Sequence, residues 1–360
     1  MGLKVVIVGG GTGGHLFPGI AVAQQFKEAL GAEVTFITTP KGVTGQILER
    51  YGFPWEAISS RALKGQGFFG RVRALLGVPG SVLKAQALLK ALGPHLVLAM
   101  GGHTCGPVGV AAYLMGIPLA LHEQNAVAGA TNRWLGRLAN RVFLSFPNSV
   151  RYFSPDLSVW TGNPIRAEFF ETEIKRPSEP FTVLIIGGSQ GAHHLNVEVL
   201  AALPPLTDVK DRLNFLHLTG EADKEEVEAG YRLAGFPAQV EAFTPEVAGW
   251  MARAHLVVCR AGASTLAELA AMGRAALLVP YPFAANNHQE HNARFLADAG
   301  AGEMVLNKDF TGELLAAKIK KFMEAAHLRV QMEDASRRLA RPAAAWEIVQ
   351  GCRELVGATD

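Results

Sequence analysis

Val5-Val6-Ile7-Val8-Gly9-Gly10-Gly11-Thr12-Gly13-Gly14-His15 stands near the start of the chain, and the order of its parts decides the architecture. A short apolar, largely β-branched run reads as a buried strand, and the glycines that follow read as a tight turn. Helical spacing of apolar residues then continues over Gly19–Leu30. Glycine lets backbone N–H groups approach an oxyanion with no Cβ in the way, and the next helix adds its positive N-terminal end. Gly9, Gly11 and Gly14 fit the dinucleotide fingerprint, yet the next strand runs into Thr38-Thr39-Pro40-Lys41 with no acid for a ribose. A tight turn that binds nothing is the plainer alternative.

Outward from this stretch the grammar repeats. Val34–Thr38, Leu96–Ala99, Leu119–His122 and Val142–Ser145 are strand-like, and helical patterning covers Ser81–Leu92. A break rich in proline and glycine runs from Pro155 to Pro180, and a new strand, Phe181–Ile186, restarts the pattern. Phe215–Leu218, Val240–Phe243, Leu256–Cys259 and Ala276–Val279 follow, each leading into a helical run. Alternation of this kind predicts two α/β domains with parallel sheets, joined near 160–180.

Bulk properties agree with that reading. A chain of 360 residues exceeds what one core usually serves, and 49% hydrophobic with 18% charged residues suits a folded protein. A net charge of +2 excludes a global polyanion binder, so no nucleic-acid partner is expected. Cys105, Cys259 and Cys352 are too few and too scattered for a disulfide framework or a zinc site, which points to a reducing compartment. The N-terminal apolar run is too short for a signal peptide and no stretch is long enough to span a bilayer.

A second glycine turn, Gly187-Gly188-Ser189-Gln190-Gly191-Ala192, follows Phe181–Ile186 and adds the Ser189 hydroxyl. Two such turns in separate domains favour a nucleotide diphosphate carrying a reacting group. In Cys259–Glu268 a strand meets a small-residue turn, and Glu268 can accept two hydrogen bonds from ribose hydroxyls or simply serve the helix start. His15 can act as a general base or cap its helix. Gly101–Pro107 and His122-Glu123-Gln124-Asn125 add polar density at strand carboxyl ends, where open α/β sheets bind ligands. Arg166 can neutralise a diphosphate or pair with a surface acid. Amides in Asn286–Asn292 suit sugar hydroxyls, whereas His288 and His291 lack the further ligands of a metal site. Between Arg61 and Lys84, Lys64, Arg71, Arg73 and Lys84 alternate with apolar residues such as Phe68 and Phe69. Such a segment fits an anionic membrane surface or a helix with a solvated basic face.

Taken in order, GGGTGGHLFPG at Gly9–Gly19, the Gly101–Pro107 loop, HEQN at His122–Asn125, AGATN at Ala128–Asn132, TGNPIR at Thr161–Arg166, GGSQGA at Gly187–Ala192, CRAGASTLAE at Cys259–Glu268 and the run reaching Gln289 resemble the MurG family over nearly the whole chain. These are N-acetylglucosaminyltransferases that make lipid II. The resemblance implies a GT-B fold of two Rossmann-like domains facing across a cleft, covering 1–163 and 164–340, with a last helix at about 341–360 crossing back onto the first. It implies that Ser189 and Arg166 meet the UDP diphosphate and Glu268 the ribose. The backbone near Thr244 and the Ala263-Ser264-Thr265 turn would hold the uridine, and Gln289 and Asn125 the N-acetylglucosamine. Thr12, Gly13, Gly14 and His15 would approach the lipid I acceptor. The segment at 64–84 falls where the family touches the membrane, so the resemblance implies a cytoplasmic protein, peripheral on the inner face of the bacterial membrane. One departure is plain: the family loop usually reads GGY-x-SGP, and His103 and Cys105 replace its tyrosine and serine.

The chemistry expected is single displacement with inversion, His15 being the first choice of base and Glu123 the second. Helix N-termini, Arg166 and Ser189 would carry the leaving charge, so no metal or other cofactor is required. Rival readings are another GT-B lipid glycosyltransferase, a UDP-sugar epimerase, an NAD-dependent dehydrogenase and a non-enzymatic nucleotide sensor.

Overall fold

A computed structural model describes residues 2–9, 13–39, 44–58, 78–174, 179–188 and 191–357. The chain divides into two units, one running to Arg166 and resuming at Arg341, the other spanning Ala167–Ala340.

The first unit is built on β1 (Lys4–Val8), β2 (Glu33–Thr38), β3 (Trp55–Ala57), β4 (Leu96–Ala99), β5 (Leu119–Glu123), β6 (Arg141–Leu144) and β7 (Ser158–Trp160). These form one sheet in the order β3-β2-β1-β4-β5-β6-β7, and every pairing is parallel. Both faces are covered. Val5 and Ile7 enter one core cluster while Val6 and Val8 enter another, as the two-residue period of a strand requires. The helix Ala344–Leu355 returns to the first of these clusters through Ile348, Val349 and Cys352. Its Gly351 permits the close approach, since a Cβ there would lie 2.8 Å from the Phe143 ring.

The second unit contains β8 (Phe181–Ile186), β9 (Leu213–Leu218), β10 (Ala238–Glu241), β11 (Leu256–Cys259), β12 (Ala276–Leu278) and β13 (Glu303–Met304). Their order is β10-β9-β8-β11-β12-β13, again all parallel. Its core joins Val183, Ile185, Phe215 and Val258 to Leu195, Ile319 and Phe322 from the covering helices. In each sheet the strand order reverses beside the opening strand, between β1 and β4 and between β8 and β11. Open α/β sheets bind ligands at such switch points, outside the carboxyl ends of the strands.

Three differences from the sequence expectations have physical causes. The first helix begins at Gly13 rather than Gly19: Gly13, Gly14 and Pro18 are poor helix formers that hide its opening turns in the sequence, and Pro18, at the sixth position, gives up one backbone hydrogen bond inside it. The strand expected at Val240–Phe243 is Ala238–Glu241, since its partner β9 ends at Leu218, opposite Glu241. Phe243 is consequently past the strand and 62% exposed. The short edge strands β3, β7 and β13 carry too few residues to show a period.

Candidate active site

In the first unit three loops leave neighbouring strands at one edge of the sheet. After β1, Gly9 stands against β4: a Cβ there would be 2.9 Å from the Met100 Cβ. After β4, Gly101 and Gly102 take φ of +105° and +87°, which glycine alone adopts readily. A Cβ on Gly101 would come within 3.0 Å of His15 Cδ2 and Nε2, so the half-buried imidazole rests on this peptide. Gly13 and Gly14 open the helix that carries His15. Thr12 lies outside the described residues.

After β5 the HEQN residues fold into a closed hydrogen-bond set. Glu123 Oε1 accepts the Asn125 N–H at 2.9 Å. Its Oε2 accepts from Gly129 N at 3.0 Å and from Asn132 Nδ2 at 2.9 Å. Burial raises its pKa above the usual carboxylate value, and these donors pull it back down in part. Both oxygens are engaged by the residue's own loop, which fits an organiser of that loop better than a base.

His122 is fully buried, and burial holds its pKa down to about 4, so the ring is neutral. Gln124 Nε2 lies 2.9 Å from His122 Nδ1, and His122 Nε2 lies 3.3 Å from the Gly162 carbonyl. The ring therefore accepts at Nδ1 and donates at Nε2. Ser145 donates to Asn163 Oδ1 at 3.1 Å, so two strand ends hold the TGNP segment. Arg166 belongs to this first unit, three residues beyond the expected boundary at 163. Its guanidinium lies 4.8 Å from the centre of the Phe17 ring on the His15 helix.

Cys105 is buried in this unit. Its Sγ takes the Gly101 N–H at 3.2 Å and stands 2.9 Å from the Gly101 carbonyl. The thiol thus serves the loop's own backbone. His103 shows no such tie among the described contacts.

The second unit repeats the plan. Gly188 and Gly191 have φ of +90° and +73°, and a Cβ on Gly191 would lie 2.3 Å from the Thr219 carbonyl oxygen. Ser189 and Gln190 lie outside the described residues. Asn196 braces the turn from below by donating to Thr219 O at 3.0 Å and to Asp223 Oδ2 at 2.7 Å. Its own Oδ1 lies 3.0 Å from Nε2 of His217, a ring that burial holds neutral at a pKa of about 3.

Across the switch point, β11 leads through Arg260 to the helix Ala263–Met272, whose N-terminal residues are Ala263, Ser264 and Thr265. Glu268 is the sixth residue of that helix, past its first turn, and the Gly262 cap uses no side chain. Its charge is near enough, after burial, to help push the Cys259 thiol up to about 12. Arg260 is buried and spends Nη1 on the Val279 carbonyl at 3.1 Å and Asn307 Oδ1 at 2.7 Å. Gln289 Oε1 accepts from Ala261 N at 3.2 Å and Tyr281 N at 2.9 Å, tying the turns after β11 and β12 together. Thr244 is buried, and its hydroxyl accepts the Glu246 N–H at 3.1 Å.

No group of three or more His, Cys, Asp or Glu residues placed to hold a metal occurs among the described residues. The sequence expectations did not single out Gln124, Asn132, Asn196, His217 or Arg260 as site residues. Each supports a loop rather than projecting from one, and only the folded register reveals it.

Comparison with known proteins follows the same division. Residues 5–144 match the glycosyltransferase family 28 N-terminal domain and residues 182–347 match the family 28 C-terminal domain. The UDP-N-acetylglucosamine–N-acetylmuramyl-(pentapeptide) pyrophosphoryl-undecaprenol N-acetylglucosamine transferase of Anaeromyxobacter dehalogenans (strain 2CP-C) is 43% identical, covering 98% of this chain and 93% of its own. The protein of the same name from Syntrophus aciditrophicus (strain SB) is 40% identical over 99% of each chain. A crystal structure of Acinetobacter baumannii MurG matches with a TM-score of 0.80 at 34% identity, covering 98% of this chain and 99% of that one. Identity at this level over nearly full length shows that the chain belongs to the MurG family, UDP-N-acetylglucosamine-dependent glycosyltransferases of the GT-B fold class.

Proposed function

We propose that the chain moves N-acetylglucosamine from UDP-N-acetylglucosamine to the C4 hydroxyl of the muramyl sugar of lipid I, giving lipid II for peptidoglycan. The observation that carries this reading is the repetition of a glycine turn at the switch point of each unit, in a chain of this family. On this reading the second unit grips the donor: Gly187–Ala192 with Ser189 on the diphosphate, Glu268 on the ribose, Ala263–Thr265 and the backbone by Thr244 on the uracil, Gln289 on the sugar. The first unit presents the acceptor through Thr12, Gly13 and Gly14, with Asn125 on the transferred sugar.

His15 removes the C4 hydroxyl proton as that oxygen attacks the anomeric carbon. The bond to the UDP oxygen breaks on the opposite face, which inverts the centre. Charge left on the diphosphate is met by Arg166, Ser189 and helix N-termini, so this step needs no metal. A closed acceptor set around Glu123 supports His15 over Glu123 as base.

The protein also works at a membrane surface on this reading, peripheral to the inner face. No helix among the described residues is long and apolar enough to cross a membrane. Lys64, Arg71 and Arg73 lie outside the described residues. Leu83, 66% exposed beside Lys84, and Tyr113 and Leu114, also exposed, are on two helices that pack together. Exposed apolar side chains on two packed helices support an interfacial contact on this reading.

The test is transfer of labelled N-acetylglucosamine from UDP to a lipid I analogue, with and without EDTA. Metal-independent formation of a β-linked disaccharide lipid is expected. Release of free sugar with no lipid product would favour the epimerase reading and sink this one. His15→Ala should slow transfer by about 10²–10⁴-fold, leaving a measurable residual rate, while UDP still binds; near-normal turnover would remove His15 as base.

A further inference from the structure

The His15 ring rests on a peptide that lies past the end of its strand. β4 ends at Ala99, and the ladder continues one step further, with Met100 N donating to Val8 O at 2.7 Å. Beyond that point two buried side chains hold the backbone. Cys105 Sγ accepts the Gly101 N–H at 3.2 Å, and its proton has the Gly101 carbonyl at 2.9 Å and the Val8 carbonyl at 3.2 Å as acceptors. Gln124 Nε2 donates to the Met100 carbonyl at 2.7 Å while also reaching His122 Nδ1. One side chain comes from the helix after the loop and the other from the loop after β5.

We propose that Cys105 and Gln124 are positioning residues for the transfer reaction, locking the Met100–Gly101 peptides as the platform that sets the orientation of the His15 imidazole. The inference rests on the reading of His15 as base. Both residues have the chemistry the task requires. Burial pushes the Cys105 thiol up to about 12, so it keeps its proton at working pH. His122 is neutral, so its Nδ1 stays an acceptor for Gln124. Glycine at 101 is required for the ring to sit so close, and a glycine loop without restraints would be the least rigid support available. Catalytic groups tolerate displacements of only about 0.5 Å, and a misplacement of about 1 Å can cost on the order of a hundredfold in rate.

Cys105→Ala removes the thiol, Cys105→Ser keeps a donor and acceptor, and Gln124→Met keeps volume without polar atoms. Steady-state kinetics of the full chain with UDP-N-acetylglucosamine and a lipid I analogue should show kcat falling about ten- to a hundredfold in Cys105→Ala and Gln124→Met. Donor KM should change by less than about threefold, since these residues support the base and not the nucleotide. Cys105→Ser should recover most of the rate. In a His15→Ala background, adding Cys105→Ala should cause no further loss, because the two act as one unit. Wild-type kcat in Cys105→Ala, or equal losses with and without His15, would overturn the inference while the base reading stood. Near-normal turnover by His15→Ala would overturn the base reading itself.

Discussion

Gln289 and Ala261 are joined across two loops by a single oxygen: the Gln289 side-chain carbonyl accepts the Ala261 N–H at 3.2 Å and shares itself with Tyr281 N at 2.9 Å. With that oxygen committed to the backbone, the amide nitrogen is the end left to address a sugar oxygen. Gln289→Glu preserves an acceptor for both N–H groups and deletes the amide donor. It should leave thermal stability close to wild type and raise the KM for UDP-N-acetylglucosamine. Gln289→Leu should do both kinds of damage, costing about 1–3 kcal/mol of stability for the two orphaned donors. An unchanged KM in Gln289→Glu would remove the sugar contact.

Two glycines of the second turn separate strain from collision. Gly188 has φ of +90° with nothing within 4 Å of a Cβ, whereas Gly191 at +73° would drive a Cβ to 2.3 Å from Thr219 O. Gly188→Ala should cost about 1 kcal/mol from backbone strain. Gly191→Ala should cost more, and should raise donor KM by about tenfold or beyond as the turn is displaced. Chemical denaturation and isothermal titration with UDP would rank the two; the reverse order would contradict the packing described.

Acid sensitivity follows from the buried imidazoles. The folded state holds His122 neutral to about pH 4 and His217 to about pH 3, against an ordinary imidazole value of 6.5. Unfolded chains bind these protons first, so each group's contribution is intact above about pH 6.5 and is lost as pH falls through the folded pKa. For His122 the window corresponds to about 3 kcal/mol. His122→Gln should therefore flatten the loss of urea stability between pH 6.5 and pH 4, whatever it costs at neutral pH. A slope identical to wild type would refute the assignment.

Glu123 works in the opposite direction. Burial raises its pKa, so its contribution is greatest below the ordinary value of 4.5 and shrinks as pH climbs to the folded pKa. Glu123→Gln turns an NH2 group toward N–H donors and should destabilise by about 2–4 kcal/mol. The gap between variant and wild type should narrow as pH rises above 4.5. A gap that widens instead would mean the carboxylate is favoured, not penalised, by its site.

Vesicle cosedimentation tests the surface assignment. Wild type should bind vesicles containing anionic phospholipid, less so at high salt. Leu83→Glu with Leu114→Glu, at positions 66% and 61% exposed, should release it without altering transfer to a soluble acceptor analogue. Binding that persists would place the contact elsewhere.

Much of the fold was legible because parallel strands buried on both faces are short apolar runs, and Leu96–Ala99, Phe181–Ile186 and Leu256–Cys259 have the expected limits. Strand ends set by a partner's length, as at Glu241, are not encoded locally. The glycine turns could be read because a positive φ or a close approach leaves one residue type. The braces beneath them could not. Asn196 and His217, or Gln124 and Met100, are 21 and 24 positions apart, and nothing in either residue alone announces the pairing. In the sequence Cys105 is only a departure from the family's loop; its burial and its Gly101 contacts show it serving the backbone.

The helix Ala344–Leu355 supplies Ile348, Val349 and Cys352 to a core whose other members are made before Ser145. A ribosome completes the whole of Ala167–Ala340 before that helix exists, a delay of roughly ten to thirty seconds at ~5–20 residues per second. The earlier unit therefore keeps an uncovered apolar face until the final helix has been made. A purified chain truncated before Ala344 should lose protease resistance in the first unit while the second, whose core lies wholly within Ala167–Ala340, keeps its own.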